Sequence, residues 1–163
     1  MNKKTMRWLY LGAVALAVLA ALAVLGLYGL RCRIEKDPLA QYQILEEGQT
    51  KFAWQVEECR LENGKLTVAG WLVEPGRQYD VRDGEITAAW NCTWAALVDE
   101  EAGTVYRMPT QARMPEGGDP YPQDGIDHKN CGFFSRANAL DGGEKLYLAV
   151  KTYSDGWYLV PTG

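Results

Sequence analysis

A run of residues without a single charge, Trp8 to Leu30, constrains this chain more than any other feature. Ala and Leu dominate the run, both favour helices, and the run contains no proline. About 20 residues of helix, rising about 1.5 Å per residue, cross a hydrocarbon core of about 30 Å. Within lipid, a helix pairs its own backbone groups. The run therefore predicts one transmembrane helix over residues 8–30, with the lipid bilayer as its partner.

The residues that flank the run support an uncleaved signal anchor. Trp8 and Tyr28 stand near its ends, where amphipathic rings prefer the membrane boundary. A cleaved signal peptide has an apolar core of about 7–15 residues, whereas this run continues past the Ala-x-Ala-like site that ends at Ala20. A lipoprotein signal needs a small residue before its modified cysteine, and Arg31 precedes Cys32.

Charge sets the expected orientation of the span. Residues 1–7 carry three basic side chains and no acidic one, which predicts a basic cytoplasmic stub. Residues 31–37 carry three basic and two acidic side chains, and residues 38–163 carry 19 acidic against 11 basic ones. We therefore expect the N-terminus on the cytoplasmic side of the cell membrane and the C-terminal domain outside the cell. An acidic domain also argues against nucleic acid as a partner.

The chain after the span is expected to form a neck and then one domain. Pro38 stops any continuation of the helix, so residues 31–50 are predicted to be a neck or linker. Residues 51–163 contain too many aromatic and aliphatic side chains for a disordered tail. Short strand-like segments recur there between Gly, Pro and Asp turn signals. This pattern predicts an antiparallel β-sandwich, Ig-like or an open-barrel variant.

A hairpin is the clearest element of the predicted domain. Asn63-Gly64 lies between two strand-like segments, and this pair is a strong hairpin signal because both turn positions need positive φ. With this turn, Leu61 faces Leu66 and Cys59 faces Val68 across the ladder. The register predicts one consistent apolar face for the hairpin.

Several short motifs resemble a class of envelope proteins. They are Gly70-Trp71, Leu97-Val98-Asp99, Val105-Tyr106-Arg107-Met108-Pro109-Thr110, Gly132-Phe133-Phe134 and the closing Val160-Pro161-Thr162-Gly163. Together they resemble uncharacterised single-pass membrane proteins of Gram-positive bacteria. The resemblance implies a small extracytoplasmic β-sandwich on a membrane anchor and a setting in the cell envelope. It implies no catalytic residues.

The only histidine, His128, is the first candidate for chemistry. A Ser-His-Asp arrangement needs the base within hydrogen-bond reach of the nucleophile, and the chain has two serines, Ser135 and Ser154. Asp127 adjoins His128, but sequence neighbours rarely orient one another in that way. We therefore expect a solvated loop histidine. The cysteines are too far apart in sequence to indicate a zinc site.

Three aspartates in a loop rich in proline and glycine, Asp119, Asp124 and Asp127, are candidate calcium ligands. Their spacing is not that of an EF-hand loop, so a hydrated acidic loop is the default expectation. Two carboxylates for glycoside hydrolysis can come from distant strands, but nothing in the sequence singles out such a pair. The sequence predicts no catalytic residue, no metal and no other cofactor.

Tryptophans and cysteines supply the remaining candidates. Aromatic side chains in strands mostly fill sandwich cores, and Trp90 and Trp94 share a face with core positions. Trp157 follows a turn and is the best candidate for an exposed ring that stacks on a sugar. Cys92 and Cys131 are a candidate disulfide if the domain lies outside, with free buried thiols as the alternative.

These observations favour a membrane-anchored binding or structural domain of the cell envelope. Its partner would be an envelope glycan or another membrane protein. Two alternatives stay open, namely a membrane-tethered glycan-modifying enzyme and an accessory or sensor subunit of a membrane complex. Convergent carboxylates in a cleft would favour the enzyme, and a polar or Gly-lined helix face would favour the subunit.

Overall fold

The computed structural model describes residues 3–31, 33–48, 50–76, 81–82, 85–86, 93–140, 143–152 and 156–163. The chain divides into two units, Met1–Arg33 and Ile34–Gly163. In the described residues the first unit contains one helix, and the second contains short strands with two turns of 3-10 helix. The chain is thus mostly β after a single N-terminal apolar helix.

The first unit is helix α1, Lys3–Arg31. It starts before the predicted span, so the basic residues from Lys3 onward belong to the same helix. Its apolar stretch, Tyr10–Gly29, is 20 residues long, and none of it is buried within the chain. Large apolar side chains along this stretch range from 43% exposed at Val14 to 72% at Tyr10. The helix is therefore long and apolar enough to cross a membrane.

The second unit contains two β-sheets and a small hairpin. In chain order its strands are β1 (Glu35–Pro38), β2 (Tyr42–Ile44), β3 (Ala53–Glu62), β4 (Lys65–Val73), β5 (Val81–Arg82), β6 (Glu85–Ile86), β7 (Thr93–Asp99), β8 (Thr104–Arg107), β9 (Thr110–Arg113), β10 (Gly132–Asn138), β11 (Lys145–Thr152) and β12 (Gly156–Pro161). The six-stranded sheet has the order β1-β8-β7-β11-β12-β2, and the four-stranded sheet has the order β3-β4-β10-β9. The predicted β-sandwich preceded by one apolar helix is confirmed.

The predicted neck supplies both edges of the six-stranded sheet. β1 lies at one edge and β2 at the other, and only Leu39–Gln41 link them. A link this short brings the two edges close together, so the sheet curls into a half-barrel. The second unit begins at Ile34 rather than at residue 51. The charges of β1 and its Pro38 suit an edge strand, and they make the segment look like a linker in sequence.

The core between the two sheets is built by alternation along each strand. Leu148 and Val150 of β11 point into it, whereas Tyr147 and Ala149 point to the other, concave side of the half-barrel. The buried members of the core are Phe52, Val68, Leu72, Ala95, Met108, Phe133, Leu148, Val150, Tyr158 and Val160. The six-stranded sheet therefore buries apolar side chains on both of its faces.

The predicted hairpin forms in the predicted register. Leu61 pairs with Leu66 and Cys59 pairs with Val68, and the turn residues Asn63 and Gly64 have φ values of 50° and 71°. The single apolar face expected for the hairpin is not formed on β3, however. Cys59 and Leu61 are exposed, because β3 is an edge strand that extends beyond the shared core.

A bulge interrupts the pairing of β3 with β4. The register shifts between Val56 and Glu58. A Cβ atom on Gly70 would lie 2.1 Å from the carbonyl oxygen of Gln55, so only glycine fits opposite the bulge. Beyond it, from Glu58 to Glu62, the pairing is regular up to the turn.

Candidate functional site

The concave face of the half-barrel holds a second apolar cluster, which we call the concave cluster. Its buried members are Tyr42, Ala96, Val98, Val105, Tyr147, Ala149 and Leu159, with Leu39, Trp94 and Trp157 partly buried against them. Small residues lie at the middle of the curled sheet and aromatic ones at its rim. This arrangement lets the curled strands approach one another and fills the space at the open side.

Arg107 is stacked on the aromatic rim of the concave cluster. Its guanidinium carbon lies 4.5 Å from the centroid of the Trp157 ring and 5.2 Å from that of Trp94. The two indole rings are 5.1 Å apart, and the ring of Tyr42 is 5.4 Å from that of Trp157. These separations are typical of cation–π and aromatic pairs.

The polar edge of Arg107 is held by two carboxylates. Its Nε atom donates to Asp37 Oδ2 at 2.6 Å, and its Nη2 atom lies 2.6 Å from Glu35 Oε2. The hydroxyl of Tyr42 also donates to Asp37 Oδ2, at 2.8 Å. We call Glu35, Asp37, Tyr42 and Arg107, with the rings of Trp94 and Trp157, the rim cluster.

The electrostatics of the rim cluster keep its ion pair charged. Burial acts to raise the pKa of Asp37, but the hydrogen bonds from Arg107 and Tyr42 outweigh it, and the pKa lies below its ordinary value. Burial and the hydrogen bond to Asp37 raise the pKa of Tyr42. Because its pKa is lowered, Asp37 does not supply the protonated carboxyl group that a glycoside hydrolase uses as its acid.

The rim cluster changes the interpretation of the tryptophans. Trp94 is half-buried on the concave face rather than in the core between the sheets, and Trp90 lies outside the described residues. Trp157, the predicted sugar-stacking residue, is also half-buried, with Arg107 at 4.5 Å and Lys151 Nζ at 5.5 Å from its ring. The cations occupy places over this ring at which a sugar would stack.

The long loop that follows β9, residues 114–131, buries the histidine. His128 is 2% exposed, so the expectation of a solvated loop histidine is wrong. Its Nε2 atom lies 2.8 Å from Asp124 Oδ2, and its ring meets that of Tyr121 edge-on at 6.1 Å. Its Nδ1 atom is buried without a hydrogen-bond partner. The partner of His128 is thus the aspartate four residues earlier and not the adjacent Asp127.

Asp124 ties this loop to the end of the hairpin. Its carboxylate accepts hydrogen bonds from the backbone N–H of Gly76 at 2.9 Å and of Ile126 at 3.0 Å, besides contacting His128. The bond from Gly76, followed by the bonds from His128 and Ile126, lowers the pKa of Asp124 to about 2. Asp124 is therefore a fixed anion that organises the loop.

The three candidate calcium ligands are not brought together as a site. Asp119 accepts a hydrogen bond from the backbone N–H of Tyr121, and Asp127 binds the backbone and the amine of Lys129. Within the described part of the chain, no group of three or more His, Cys, Asp or Glu side chains could hold a metal ion. Each of the three carboxylates instead shapes its own stretch of the loop.

The long loop covers the outer face of the four-stranded sheet. Trp71 and Val73 of β4 pack there with Cys131, and Tyr121 packs against them. Cys131 is a free thiol, and burial raises its pKa to about 12. Its predicted disulfide partner, Cys92, lies outside the described residues.

The serine that the structure describes is held in the interior. Ser135 is fully buried, its Oγ atom lies 2.7 Å from Thr110 Oγ1, and it accepts the backbone N–H of Ala95 at 3.3 Å. These bonds join β9, β10 and β7, so they link the two sheets. Ser154 lies outside the described residues. The hydrogen bonds of Ser135 and of His128 thus go to different partners.

Sequence reasoning missed Glu35, Asp37, Tyr42 and Arg107. Asp37 and Arg107 are 70 residues apart, and no local pattern joins a polar segment of the predicted neck to a strand of the domain. The pair of Asp124 and His128 had an available signal in its spacing of four residues.

Comparisons with protein-family models, curated proteins and solved structures found no match. Function therefore rests on this geometry.

Proposed function

We propose that this chain is a single-pass membrane protein whose β-sandwich domain lies outside the cell membrane and works by binding. The exposed apolar stretch Tyr10–Gly29 carries this proposal. Twenty apolar residues that the described part of the chain does not bury expose far more apolar surface than a soluble chain tolerates. A bilayer covers such a surface along its whole length.

Charge supports the proposed orientation. The basic residues before the apolar stretch favour the cytoplasmic side, and the second unit carries most of the acidic side chains. The proposed partner is an envelope glycan or another membrane protein. The contacts of Arg107 with both Glu35 and Asp37, together with the lowered pKa of Asp37, favour binding over glycoside hydrolysis at the rim cluster. A membrane-tethered enzyme and an accessory subunit remain the alternatives to be tested against this proposal.

Cys59 provides a built-in reporter of topology because it is a free, exposed thiol. In intact cells that express a Cys32→Ser/Cys92→Ser variant of the full chain, a membrane-impermeant maleimide should label Cys59 without lysis. Cys131 is the internal comparison, since its buried thiol should react only after unfolding. A matched Cys59→Ser chain should stay unlabelled in intact cells.

The same preparation tests anchoring and binding. Alkaline carbonate should leave the full chain in the membrane pellet, and purified cell-wall sacculi should sediment with the detergent-solubilised chain if the partner is an envelope glycan. Labelling of Cys59 only after lysis would refute the proposed orientation. Recovery of the domain in the medium, without the apolar stretch, would refute the anchor.

A further inference from the structure

Strand β3 forms a free edge of the four-stranded sheet. Among the described residues it pairs with β4 alone. Its last four side chains, Cys59 to Glu62, are all exposed, whereas Thr67 and Val68 on the facing strand are buried. Leu61, an apolar residue, is 63% exposed. An edge of this kind presents backbone donors and acceptors to which another strand can bind.

The turn determines which backbone groups of β3 face this free edge. With a two-residue turn, Glu62 and Lys65 form the hydrogen-bonded pair next to it. Hydrogen-bonded and non-hydrogen-bonded pairs then alternate along the ladder. Cys59 and Leu61 therefore direct their N–H and C=O groups away from β4. Beyond the bulge, this edge offers a regular stretch for pairing.

The charges along the free edge are complementary to themselves in two antiparallel registers, one centred on Cys59 and one centred on Leu61, where Arg60 lies opposite Glu62. The register centred on Leu61 sets Cys59 opposite the turn residue Asn63, which ends the pairing, so the register centred on Cys59 is the one that lets pairing continue along the strand. When Cys59 lies opposite Cys59 of a second copy, Glu58 of each copy lies opposite Arg60 of the other. Opposite charges that face each other across strands stabilise the pairing. A register centred on Arg60 would instead set two guanidinium groups against each other. Within each chain Arg60 lies 3.1 Å from Glu58 and 3.4 Å from Glu62, so its charge already lies along this edge.

We propose that a second copy of this chain pairs with the free edge of β3, antiparallel and centred on Cys59. The two four-stranded sheets then form one continuous sheet across a two-fold axis. The opposed charges of Glu58 and Arg60 select a second copy over an unrelated strand. This pairing uses only the second unit, so it does not depend on the orientation of the helix in a membrane.

Cysteine crosslinking tests the register. Opposed residues of a hydrogen-bonded antiparallel pair have Cα atoms about 5.5 Å apart, within the range of about 4.4–6.8 Å that a disulfide spans. The full chain with Cys32→Ser and Cys92→Ser, in detergent, is oxidised with copper phenanthroline and oxygen. Each bond formed takes two electrons and two protons from the two Cys59 thiols, and oxygen accepts them. We expect a disulfide-linked dimer that is absent from the Cys59→Ser control.

Charge variants test the partner. Glu58→Arg and Arg60→Glu each set like charges opposite one another, so each variant alone should crosslink about fivefold more slowly, as expected for loss of two cross-strand ion pairs. Mixed in equal amounts with different tags, the two variants restore both ion pairs and should crosslink with each other at the parental rate. Arg60 is exposed and Glu58 is partly exposed, and intrinsic tryptophan fluorescence confirms that the variants fold.

Four results would overturn the proposal. The first is a chain that is monomeric by light scattering and forms no Cys59 crosslink. The second is equal crosslinking of the parent and both single variants, which would indicate chance collision. The third is faster crosslinking through Leu61→Cys than through Cys59, which would indicate another register. The fourth is crosslinking of Cys59 in cell membranes to a different protein only.

Discussion

The domain covers its two remaining sheet faces in different ways. The concave face of the half-barrel is closed by side chains of the same sheet, with the rim cluster at its mouth. The outer face of the four-stranded sheet is covered by the long loop, in which Tyr121 packs against Trp71 and Cys131. Both faces bury tryptophan, but the first closure is built from strands and the second from a loop.

The contacts that fasten these two closures differ in sequence separation. Arg107 and Asp37 are 70 residues apart, whereas His128 and Asp124 are four apart. The rim cluster therefore requires both edges of the half-barrel to be in place. The loop is fastened mainly within itself, and its described long-range bonds to backbone groups run from the Gly76 N–H to Asp124 and from the Leu72 N–H to the carbonyl oxygen of Cys131. The loop can therefore open locally, while the rim cluster is lost only when the sheet opens.

The largest loss of stability is expected when one buried leucine is removed from each of the two apolar clusters. Leu148 and Leu159 are both fully buried, the first in the core between the sheets and the second in the concave cluster. If the concave cluster is a true second core, Leu148→Ala and Leu159→Ala should each lower the free energy of unfolding by about 2–5 kcal/mol. Denaturant unfolding of the full chain in detergent measures the free energy of unfolding of both variants. The exposed Leu61→Ala is the control, and a Leu159→Ala effect as small as that of the control would contradict a second core.

A smaller loss is expected from removal of the cation of the rim cluster. Arg107→Met leaves Asp37 partly buried without its charged donor, and hydrogen bonds to charged groups contribute about 1.5–3 kcal/mol each. Arg107→Met with Asp37→Leu should recover part of that loss, because the second change removes the unpaired charge. Unfolding free energies of the four chains in this cycle give the coupling.

Acid should abolish this coupling. The pKa of Asp37 is lowered in the folded chain. Its ionised form therefore stabilises the fold at pH values above the ordinary pKa of a carboxyl group. That contribution is lost as the pH falls through the lowered pKa. The difference between Arg107→Met and the parent chain should therefore shrink in acid. A difference that does not change with pH would show that Arg107 acts through its packing on Trp94 and Trp157 alone.

Sequence alone predicted the elements whose signals are local. The apolar stretch, the turn at Asn63-Gly64 and the register of the hairpin are encoded within short windows, and all of them form. Segments whose role depends on distant partners were misjudged. The sequence of β1 predicts a neck because its charges and Pro38 are typical of linkers, whereas its pairing with β8 has no local signature.

In the candidate site, too, contacts between residues that are distant in sequence could not be predicted. Arg107 has no local signature of a site because its partners come from β1, β7 and β12, which are far apart in sequence. The loop around His128 is rich in proline, glycine and charge, and this composition predicts a solvated histidine. It is buried nevertheless, because its ring packs against Tyr121 and its Nε2 atom is hydrogen-bonded to the carboxylate of Asp124. Burial of a loop residue depends on what the loop covers, and the apolar outer face of β4 was not evident from its sequence.

The smallest effect on global stability is expected in the long loop, where Asp124→Ala and Asp127→Ala form a matched pair. Asp124 accepts bonds from Gly76, Ile126 and His128, whereas Asp127 binds only Lys129 among the contacts described. Asp124→Ala should speed amide hydrogen exchange at Gly76 and across the loop, with little change in β7 or β11. Asp127→Ala should leave exchange at Gly76 unchanged.

Because the folded pKa of Asp124 is about 2, below the ordinary 3.8, its contribution is present above pH 3.8 and is lost as the pH falls toward 2. The parent loop should therefore open in that window, and a loop that exchanges equally in both variants at neutral pH would show that packing on Trp71, not Asp124, fastens it.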